Sequence, residues 1–298
     1  MIDLKNLKTK KSVEELLEFG IINIDKPSGP TSFDISNFLK KTLGLRKTSH
    51  FGTLDPKVTG VLPIALNRAC KLTGFFLGEN KEYVGIMRVH KEVEIKKLQE
   101  IINKKFIGKI IQKPPVKSRV KRIEREREII SFEILEQNGK DLLFKTEVQG
   151  GTYIRKLIDD LGKELGIGAH MLELRRIRAG IFNEDDCVNL YDFERAVNEY
   201  KKGNKKFLHK IIIPGETILK LYPVINIKKE AAKRLFHGSP LFINDIPKRL
   251  SEFNKFNLGD KICVFINKKF IGVFEIINSD KIFAKPKFVL QPINKKVK

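Results

Sequence analysis

The sequence predicts an α+β fold with two domains, and three observations lead to this class. Helical and strand patterns are mixed along the 298 residues, without the regular alternation of a doubly wound parallel sheet. Two alternating stretches between residues 119 and 148 meet at Asn138-Gly139, the strongest short-range signal for a β-hairpin. A polar, basic segment over 201–210 precedes Pro214-Gly215, and a mostly β segment follows it. We therefore place a domain boundary near residue 215.

The sequence of the first half of the chain predicts a mixture of helices and strands that differ in length. Ser12 and Glu15 are typical of a capping box, which predicts a short helix that ends at Gly20. A strand and a Pro/Gly turn follow over 21–32. The next helix, over 32–44, carries its apolar residues at Phe33, Ile35, Phe38, Leu39 and Leu43. Further patterns predict strands over 61–66 and 82–90 and a helix over 93–108.

The second half predicts one long helix, one strand and a small β module. Residues 153–166 read as an amphipathic helix, because their apolar positions repeat every three to four residues. A strand over 174–182 comes next. After the boundary, a short helix over 228–238 and a turn at Gly259-Asp260 lead into a hairpin over 261–277.

Composition restricts the class of partner. Lys and Arg number 58 against 36 Asp and Glu, a net charge of +22 that attracts polyanions, above all nucleic acid. The cysteines Cys70, Cys187 and Cys263 form no CxxC pair, so we expect neither a disulfide framework nor a metal site. No apolar run is long enough to span a bilayer, and the first residues lack the apolar core of a secretory signal. These features predict a soluble intracellular protein.

Asp55 stands alone as an acid in the stretch "SHFGTLDPKVTGVLPIAL". An Asp before Pro often begins a turn or caps a helix, which would make Asp55 structural. A carboxylate that is ionised at neutral pH can also act as a nucleophile. The two interpretations are compatible, since a sharp turn can hold a side chain out toward a ligand.

Several stretches together resemble the TruB branch of the pseudouridine synthases: "INIDKPSGPTS", "HFGTLDPKVTGVLPIAL", "KEYVGIMRVH", and "GGTYIRKLIDDLG" followed by "MLELRRIRAG". The spellings "DPKVTG", "KEYVG" and "QKPPVKSRVKR" look more like the dyskerin-type enzymes of H/ACA ribonucleoproteins than like the bacterial stand-alone enzyme. The segment after Leu221, with "HGSPLF" and "NLGDKICVF", is similar to a PUA domain, a small RNA-binding β-barrel.

The resemblance implies a domain plan and a fold. Residues 21–215 would form the pseudouridine synthase catalytic domain, built on a mixed, largely antiparallel sheet. Residues 216–298 would form the PUA domain. Residues 1–20 would be an N-terminal extension that could pack on the PUA domain.

The resemblance also implies roles for single residues. Asp55 occupies the position of the catalytic aspartate, and Arg155 that of the arginine that pairs with it. Such a guanidinium would keep a desolvated carboxylate charged and oriented. Tyr83 matches the tyrosine that stacks on the base, and Tyr153 and Leu174 match positions that line the pocket. No metal and no cofactor is expected.

Two further features of the resemblance concern RNA. His50 matches a histidine beside the flipped nucleotide, although Ser49 and Phe51 depart from the usual pattern of that turn. Lys26 and Pro27 match residues that pack around the active-site loop. Extruding a stacked base costs a few kcal/mol, and phosphate contacts must offset that cost. Basic residues just before the predicted hairpin would supply them: Lys113, Lys117, Arg119, Lys121 and Arg122.

Three functions remain open. The first is isomerisation of uridine to pseudouridine in rRNA, and in some cases tRNA, by the catalytic subunit of an H/ACA particle with a guide RNA and small accessory proteins. The second is a stand-alone tRNA enzyme that needs no guide. The third is an RNA-binding scaffold without activity. The absence of a long lysine-rich tail favours a cytoplasmic, archaeal-like protein, whereas a eukaryotic one would be nuclear or nucleolar.

Overall fold

A computed structural model describes residues 2–114, 121, 123–247, 256–277, 279 and 281–292. It has helices and strands mixed along the chain, so the predicted α+β class is confirmed. The chain divides into two compact units. The larger unit comprises Ile22–Ala65 and Thr73–Ile211, and the smaller unit comprises Met1–Ile21, Leu66–Leu72 and Ile212–Lys298.

The described elements are given in chain order. The α-helices are α1 (Leu4–Thr9), α2 (Val13–Glu18), α3 (Ser32–Thr42), α4 (Thr73–Leu77), α5 (Ile95–Lys105), α6 (Ile154–Glu164), α7 (Leu190–Lys201), α8 (Lys206–Ile211) and α9 (Ala232–Phe236). The strands are β1 (Gly20–Lys26), β2 (Thr48–His50), β3 (Thr59–Leu66), β4 (Lys81–Val89), β5 (Gly108–Gln112), β6 (Arg125–Asn138), β7 (Asp141–Val148), β8 (Ala169–Ala179), β9 (Phe182–Asn183), β10 (Ile212–Pro214), β11 (Val224–Asn226), β12 (Leu241–Phe242), β13 (Lys261–Ile266), β14 (Lys269–Ile276) and β15 (Ile282–Val289).

The larger unit is built on a sheet in the order β1-β3-β8-β4-β7-β6-β5, with β2 beside β3 and β9 beside β8. Strands β3 and β8 pair in parallel, whereas β8-β4, β4-β7, β7-β6 and β6-β5 are antiparallel. The predicted hairpin joins β6 to β7 across Asn138 and Asp141. Helix α6 packs on β8 through a buried apolar face. The mixed, largely antiparallel sheet is therefore confirmed.

Strand β8 contains two irregularities that decide where its side chains point. Its pairing with β4 omits Ile177 and Leu172, so each is an extra residue on β8. A β-bulge reverses the alternation of faces beyond it. Arg176 is therefore buried, whereas Arg178 lies on the opposite face and pairs with Glu82.

The smaller unit has its own five-stranded sheet, in the order β11-β13-β14-β15-β12. Its core contains aliphatic side chains around Phe274 and Phe283. The ring of Phe19, from the N-terminal segment, stacks on Phe270 and on Phe288, each at a centroid distance of 5.9 Å. The N-terminal residues thus contribute to the core of this unit.

The prediction for α2 is confirmed at the start of the helix but wrong at its end. The capping box of Ser12 and Glu15 is present at α2. Gly20 does not end that helix in a left-handed conformation, however, but begins β1. A Cβ there would lie 2.3 Å from the Leu16 carbonyl oxygen and 2.5 Å from Ile212, on β10. Gly20 is therefore required by close packing rather than by a helix stop.

The expected apolar face of α3 is also partly wrong. Ile35 and Leu39 are buried, but Phe33 is 66% exposed. Farther along, the sequence predicts only a polar, basic segment over 201–210, yet α8 (Lys206–Ile211) begins within it. Leu208 anchors that helix by complete burial. Among the helices described, none is long and apolar enough to cross a membrane.

Candidate active site

Asp55 lies on a turn between β2 and β3, in a segment called here the Asp55 loop (residues 51–58). The Val58 N–H donates to the Asp55 carbonyl oxygen at 3.0 Å, which closes a turn with Pro56 in its second position. Proline pre-sets the backbone angle that this position needs. Asp55 therefore does begin a turn, as its sequence context predicts.

A buried ammonium group holds the second half of this loop. The Lys26 Nζ, at the end of β1, donates to the carbonyl oxygens of Pro27, Pro56 and Val58 at 2.8–2.9 Å. Burial lowers the pKa of Lys26, and the nearby charge of Asp55 partly offsets this effect. The contacts agree with the packing role that the resemblance implies for Lys26.

The residue before Asp55 is fixed from α3. The Leu54 N–H donates to Ser32 Oγ at 2.8 Å, and the Ser32 hydroxyl donates back to the Leu54 carbonyl oxygen at 3.0 Å. The Gly29 N–H donates to the Pro56 carbonyl oxygen at 2.9 Å. Both backbone polar groups of Leu54 and the carbonyl of Pro56 are thereby satisfied, which restricts the path of the chain through Asp55.

A buried arginine holds the two sides of the loop together. Arg176, on β8, is 1% exposed. Its Nε donates to the Val61 carbonyl oxygen at 2.7 Å and its guanidinium NH2 donates to that of Gly52 at 3.1 Å. Gly60 pairs with Arg176 and has φ +98°, and a Cβ there would lie 2.2 Å from the Arg176 carbonyl oxygen. Only glycine fits this close approach.

The side chain of Asp55 is paired with Arg155, as the resemblance predicts. Asp55 Oδ2 lies 2.7 Å from the Arg155 guanidinium NH2, and the two side chains are 46% and 57% exposed. Arg155 occupies the first turn of α6, where the helix dipole disfavours a cation, so the carboxylate supplies a compensating charge. The pair remains open to solvent. Such a carboxylate is oriented and accessible, as a nucleophile must be.

Two of the expected pocket residues lie on one face of the sheet. Tyr83 pairs with Arg176, and Leu174 lies opposite Gly85, two positions farther along β4. Tyr83 and Leu174 are 8% and 7% exposed. The structure brings them to neighbouring rows of β4 and β8.

Tyr153 and His50 are placed by other elements. Tyr153 is the N-cap residue of α6, two positions before Arg155, and its backbone N–H donates to the side chain of the buried Gln112 at 3.0 Å. His50 ends β2, directly before the Asp55 loop, and its buried Nδ1 has no hydrogen-bond partner in the described part of the chain. Burial, and then the charge of Arg176, lower the pKa of His50. This shift favours the neutral form of the imidazole.

Only some of the basic residues that are expected to contact phosphate lie in the described part of the chain. Lys113 and Lys121 are exposed, whereas Lys117, Arg119 and Arg122 lie outside the described residues. Within the described ranges, no group of three or more His, Cys, Asp or Glu side chains could hold a metal ion.

Two residues at this site are not identified by the residue pattern. Arg176 stands in "LRRIRAG", where three arginines look alike in sequence, and no signal distinguishes the buried one. Ser32 reads as an ordinary residue of a Ser/Thr-rich helix start. Its position directly after Thr31, the N-cap, hides its role in fixing Leu54.

Comparison with protein families gives two adjoining matches. Residues 40–154 match the model described as "TruB family pseudouridylate synthase (N terminal domain)". Residues 155–220 match the model "tRNA pseudouridylate synthase B C-terminal domain". Asp55 falls in the first match, and Arg155 is the first residue of the second.

Curated relatives and solved structures agree with these matches. The chain is 39% identical to "Probable tRNA pseudouridine synthase B" of Methanocaldococcus jannaschii over 281 residues, 91% of this chain and 82% of the relative. It is 44% identical to the protein of the same name from Archaeoglobus fulgidus over 239 residues, 80% of this chain and 73% of the relative.

Two solved structures cover 96% of this chain and 89% of their own. One, titled "Crystal Structure of a Cbf5-Nop10-Gar1 Complex", has a TM-score of 0.86 and 36% identity. The other, "Structure of H/ACA RNP bound to a substrate RNA containing 2'-deoxyuridine", has a TM-score of 0.84 and 34% identity. The chain belongs to the TruB family of pseudouridine synthases, which are isomerases that act on RNA.

Proposed function

We propose that Asp55 is the catalytic residue with which this chain converts uridine to pseudouridine in RNA. The observation that carries the proposal is the ion pair of Asp55 and Arg155, 2.7 Å long and open to solvent. Its carboxylate sits on a loop that Lys26 and Arg176 hold through backbone carbonyls. A carboxylate held in this way need not reorganise when the substrate binds.

The reaction is an isomerisation, and its atoms balance without a redox partner. The bond between N1 of uracil and C1′ of ribose breaks, the base turns, and a bond forms between C5 and C1′. C5 then loses its proton and N1 gains one. The Asp55 carboxylate would act as nucleophile or base during these steps, and Arg155 would keep it ionised once RNA excludes water.

The detached uracil needs a flat apolar surface while it turns. We assign this surface to Tyr83, with Leu174 and Tyr153 lining the pocket and His50 contacting the nucleotide. The position of Tyr83 and Leu174 in neighbouring rows on one sheet face supports the assignment. The lowered pKa of His50, which favours the neutral imidazole, suits contact with an uncharged base.

We further propose that the chain is the catalytic subunit of a guide-RNA-directed H/ACA particle, modifying rRNA and, in some cases, tRNA. The similarity over 96% of this chain to chains of the Cbf5-Nop10-Gar1 complex and of the H/ACA RNP bound to substrate RNA supports this. Those structures are titled as complexes with Nop10 and Gar1 or with substrate RNA, so small partner proteins of this kind are expected here. Residues 216–298 would form a PUA domain that grips the guide, in keeping with the five-stranded sheet there.

A second candidate is a tRNA enzyme that needs no guide. The names of the archaeal relatives favour it, since they describe probable tRNA pseudouridine synthases. Both candidates use the same residues at the ion pair, so the chemistry does not separate them. The choice depends on how the RNA is presented.

Release of tritium from RNA labelled at C5 of uridine tests the function directly, because that proton leaves during the reaction. We expect release from an rRNA fragment only when a matching guide RNA is added. Release from bare tRNA without a guide would favour the second candidate. No release from either RNA, with the partner proteins present, would leave only the third interpretation, an inactive scaffold.

The variant Asp55→Asn tests the role of the carboxylate, since it keeps the shape of the side chain and removes its charge. We expect tritium release to fall to background, with the melting temperature nearly unchanged because an exposed ion pair contributes at most about 1 kcal/mol. Unchanged release from this variant would contradict the role of Asp55.

A further inference from the structure

A large aromatic side chain stands in solvent close to the active-site loop. Phe33, in the first turn of α3, is 66% exposed. It is the one large hydrophobic residue in this exposed state between residues 22 and 65, all of which are described. The core of the helix is made by Ile35 and Leu39 instead. The exposure of Phe33 therefore has no packing explanation.

The contacts of α3 place this ring near Asp55. Ser32, the residue before Phe33, exchanges two hydrogen bonds with Leu54, the residue before Asp55. With Cα atoms about 3.8 Å apart along the chain, the Phe33 and Asp55 backbones lie within about 15 Å of each other. At this separation, the Phe33 side chain can contact a nucleotide next to the one bound at Asp55.

The exposed cations at the Asp55 loop indicate which partner suits this region. Lys57 is exposed two residues after Asp55, and Arg155 is 57% exposed in its side chain. The helical neighbours of Phe33 are polar: Asp34 is exposed and Asn37 is half-buried. An apolar protein surface would need further apolar contacts around the ring. An exposed aromatic ring, on a helix hydrogen-bonded to a loop that carries an exposed lysine, is instead suited to stacking on a single-stranded base.

Resting on the proposed function, we propose that Phe33 stacks on an unpaired nucleobase of the substrate RNA that flanks the target uridine. Phe33 is then a binding residue rather than a catalytic one. It holds the RNA while the target base is extruded. The stacking contact offsets part of the cost of that extrusion.

The composition of the chain allows a direct optical test. The protein contains no tryptophan, so Phe33→Trp in the Asp55→Asn background creates a single fluorophore at the proposed contact. Tyr191→Trp is the matched control, because Tyr191 is also the second residue of its helix, α7, and is 76% exposed. The probe is an RNA with the target uridine in an unpaired loop, with guide RNA added where activity requires it.

We expect binding of this RNA to quench the tryptophan fluorescence of the Phe33→Trp protein and to leave that of Tyr191→Trp unchanged. Binding itself is measured separately, by the anisotropy of a dye on the RNA. RNA that binds without quenching the Phe33→Trp signal overturns the stacking inference. Failure of the unsubstituted protein to bind or modify any RNA would instead overturn the proposed function.

A binding cycle identifies the base. We expect Phe33→Ala to weaken RNA binding about 5- to 150-fold, the equivalent of roughly 1–3 kcal/mol. Phe33→Tyr should restore binding, and Tyr191→Ala should have no effect. An abasic site at the stacked position should weaken binding by the unsubstituted protein but not by Phe33→Ala. Equal losses in both proteins at every flanking position would contradict the inference.

Discussion

The Asp55 loop has a buried side and an exposed side, and cationic side chains from other elements contact both. On the buried side, Lys26 and Arg176 donate only to backbone carbonyls in the hydrogen bonds described here. On the exposed side, Arg155 contacts the Asp55 carboxylate itself. Two guanidinium groups therefore contact the same loop differently. Arg176 binds its backbone, and Arg155 binds the carboxylate of Asp55.

The difference shows how this fold separates support from chemistry. A buried cation bound to carbonyls fixes a backbone path, and removing it leaves those carbonyls without partners in a dry environment. An exposed ion pair contributes little to stability but can orient a charge. Changes on the buried side should therefore lower stability, whereas changes on the exposed side should lower the reaction rate.

The largest effect on stability is expected from Arg176→Met. The carbonyl oxygens of Gly52 and Val61 lose their charged donor, and we expect the free energy of unfolding to fall by about 2–4 kcal/mol. Urea denaturation measures this change. Arg88→Met is the matched control on the neighbouring strand β4, because its pair with Asp141 is exposed and should contribute less than about 1 kcal/mol. Equal losses in the two variants would show that burial does not distinguish them.

An effect on rate alone is expected from Arg155→Lys. Lysine keeps the charge but loses the planar guanidinium, so the carboxylate of Asp55 is oriented less well. We expect single-turnover tritium release to slow by roughly 10- to 100-fold, with the free energy of unfolding within about 1 kcal/mol of the original. Arg155→Met should be slower still. A fall in stability like that of Arg176→Met would contradict the distinction between the two sides.

The smallest effect concerns pH and His50, which ends β2. Its folded pKa lies below the ordinary value of 6.5, so the unfolded chain takes up the proton first as the pH falls. The free energy of unfolding should therefore decrease as the pH falls below about 6.5 and be unaffected by His50 above it. Melting temperatures at pH 7.5 and 5.5 should differ less in His50→Asn than in the unsubstituted protein. An equal or larger difference in the variant would be inconsistent with a lowered pKa.

Much of the fold could be predicted because local patterns agree with it. The capping box at Ser12, the hairpin at Asn138-Gly139 and the amphipathic pattern of α6 each appear where expected. Local patterns failed where a long-range contact decides. Phe33 fits the apolar repeat of α3 yet is exposed, and Gly20 resembles a helix stop yet is needed for close packing against Ile212.

The residues of the ion pair could be predicted from the sequence, but the residues that hold the Asp55 loop in place could not. Asp55 and Arg155 lie 100 positions apart, and only the family resemblance linked them before the structure showed their contact. The residues that hold the loop have no such signal. Arg176 differs from Arg175 and Arg178 only in its surroundings. Burial of one arginine among three cannot be inferred from composition.

By itself, the sequence determined the fold class, the net charge of +22 and the acid on a Pro-bearing turn. These properties depend on composition, on short periodic patterns and on the backbone limits of proline and glycine. The tertiary structure alone decided which arginine is buried, because a single extra residue at Ile177 reverses the faces of β8 between Arg176 and Arg178. It also decided that Phe33 faces solvent near Asp55. The burial of Arg176 depends on strand register, and the exposure of Phe33 depends on how α3 packs. Contacts between residues distant in sequence determine both.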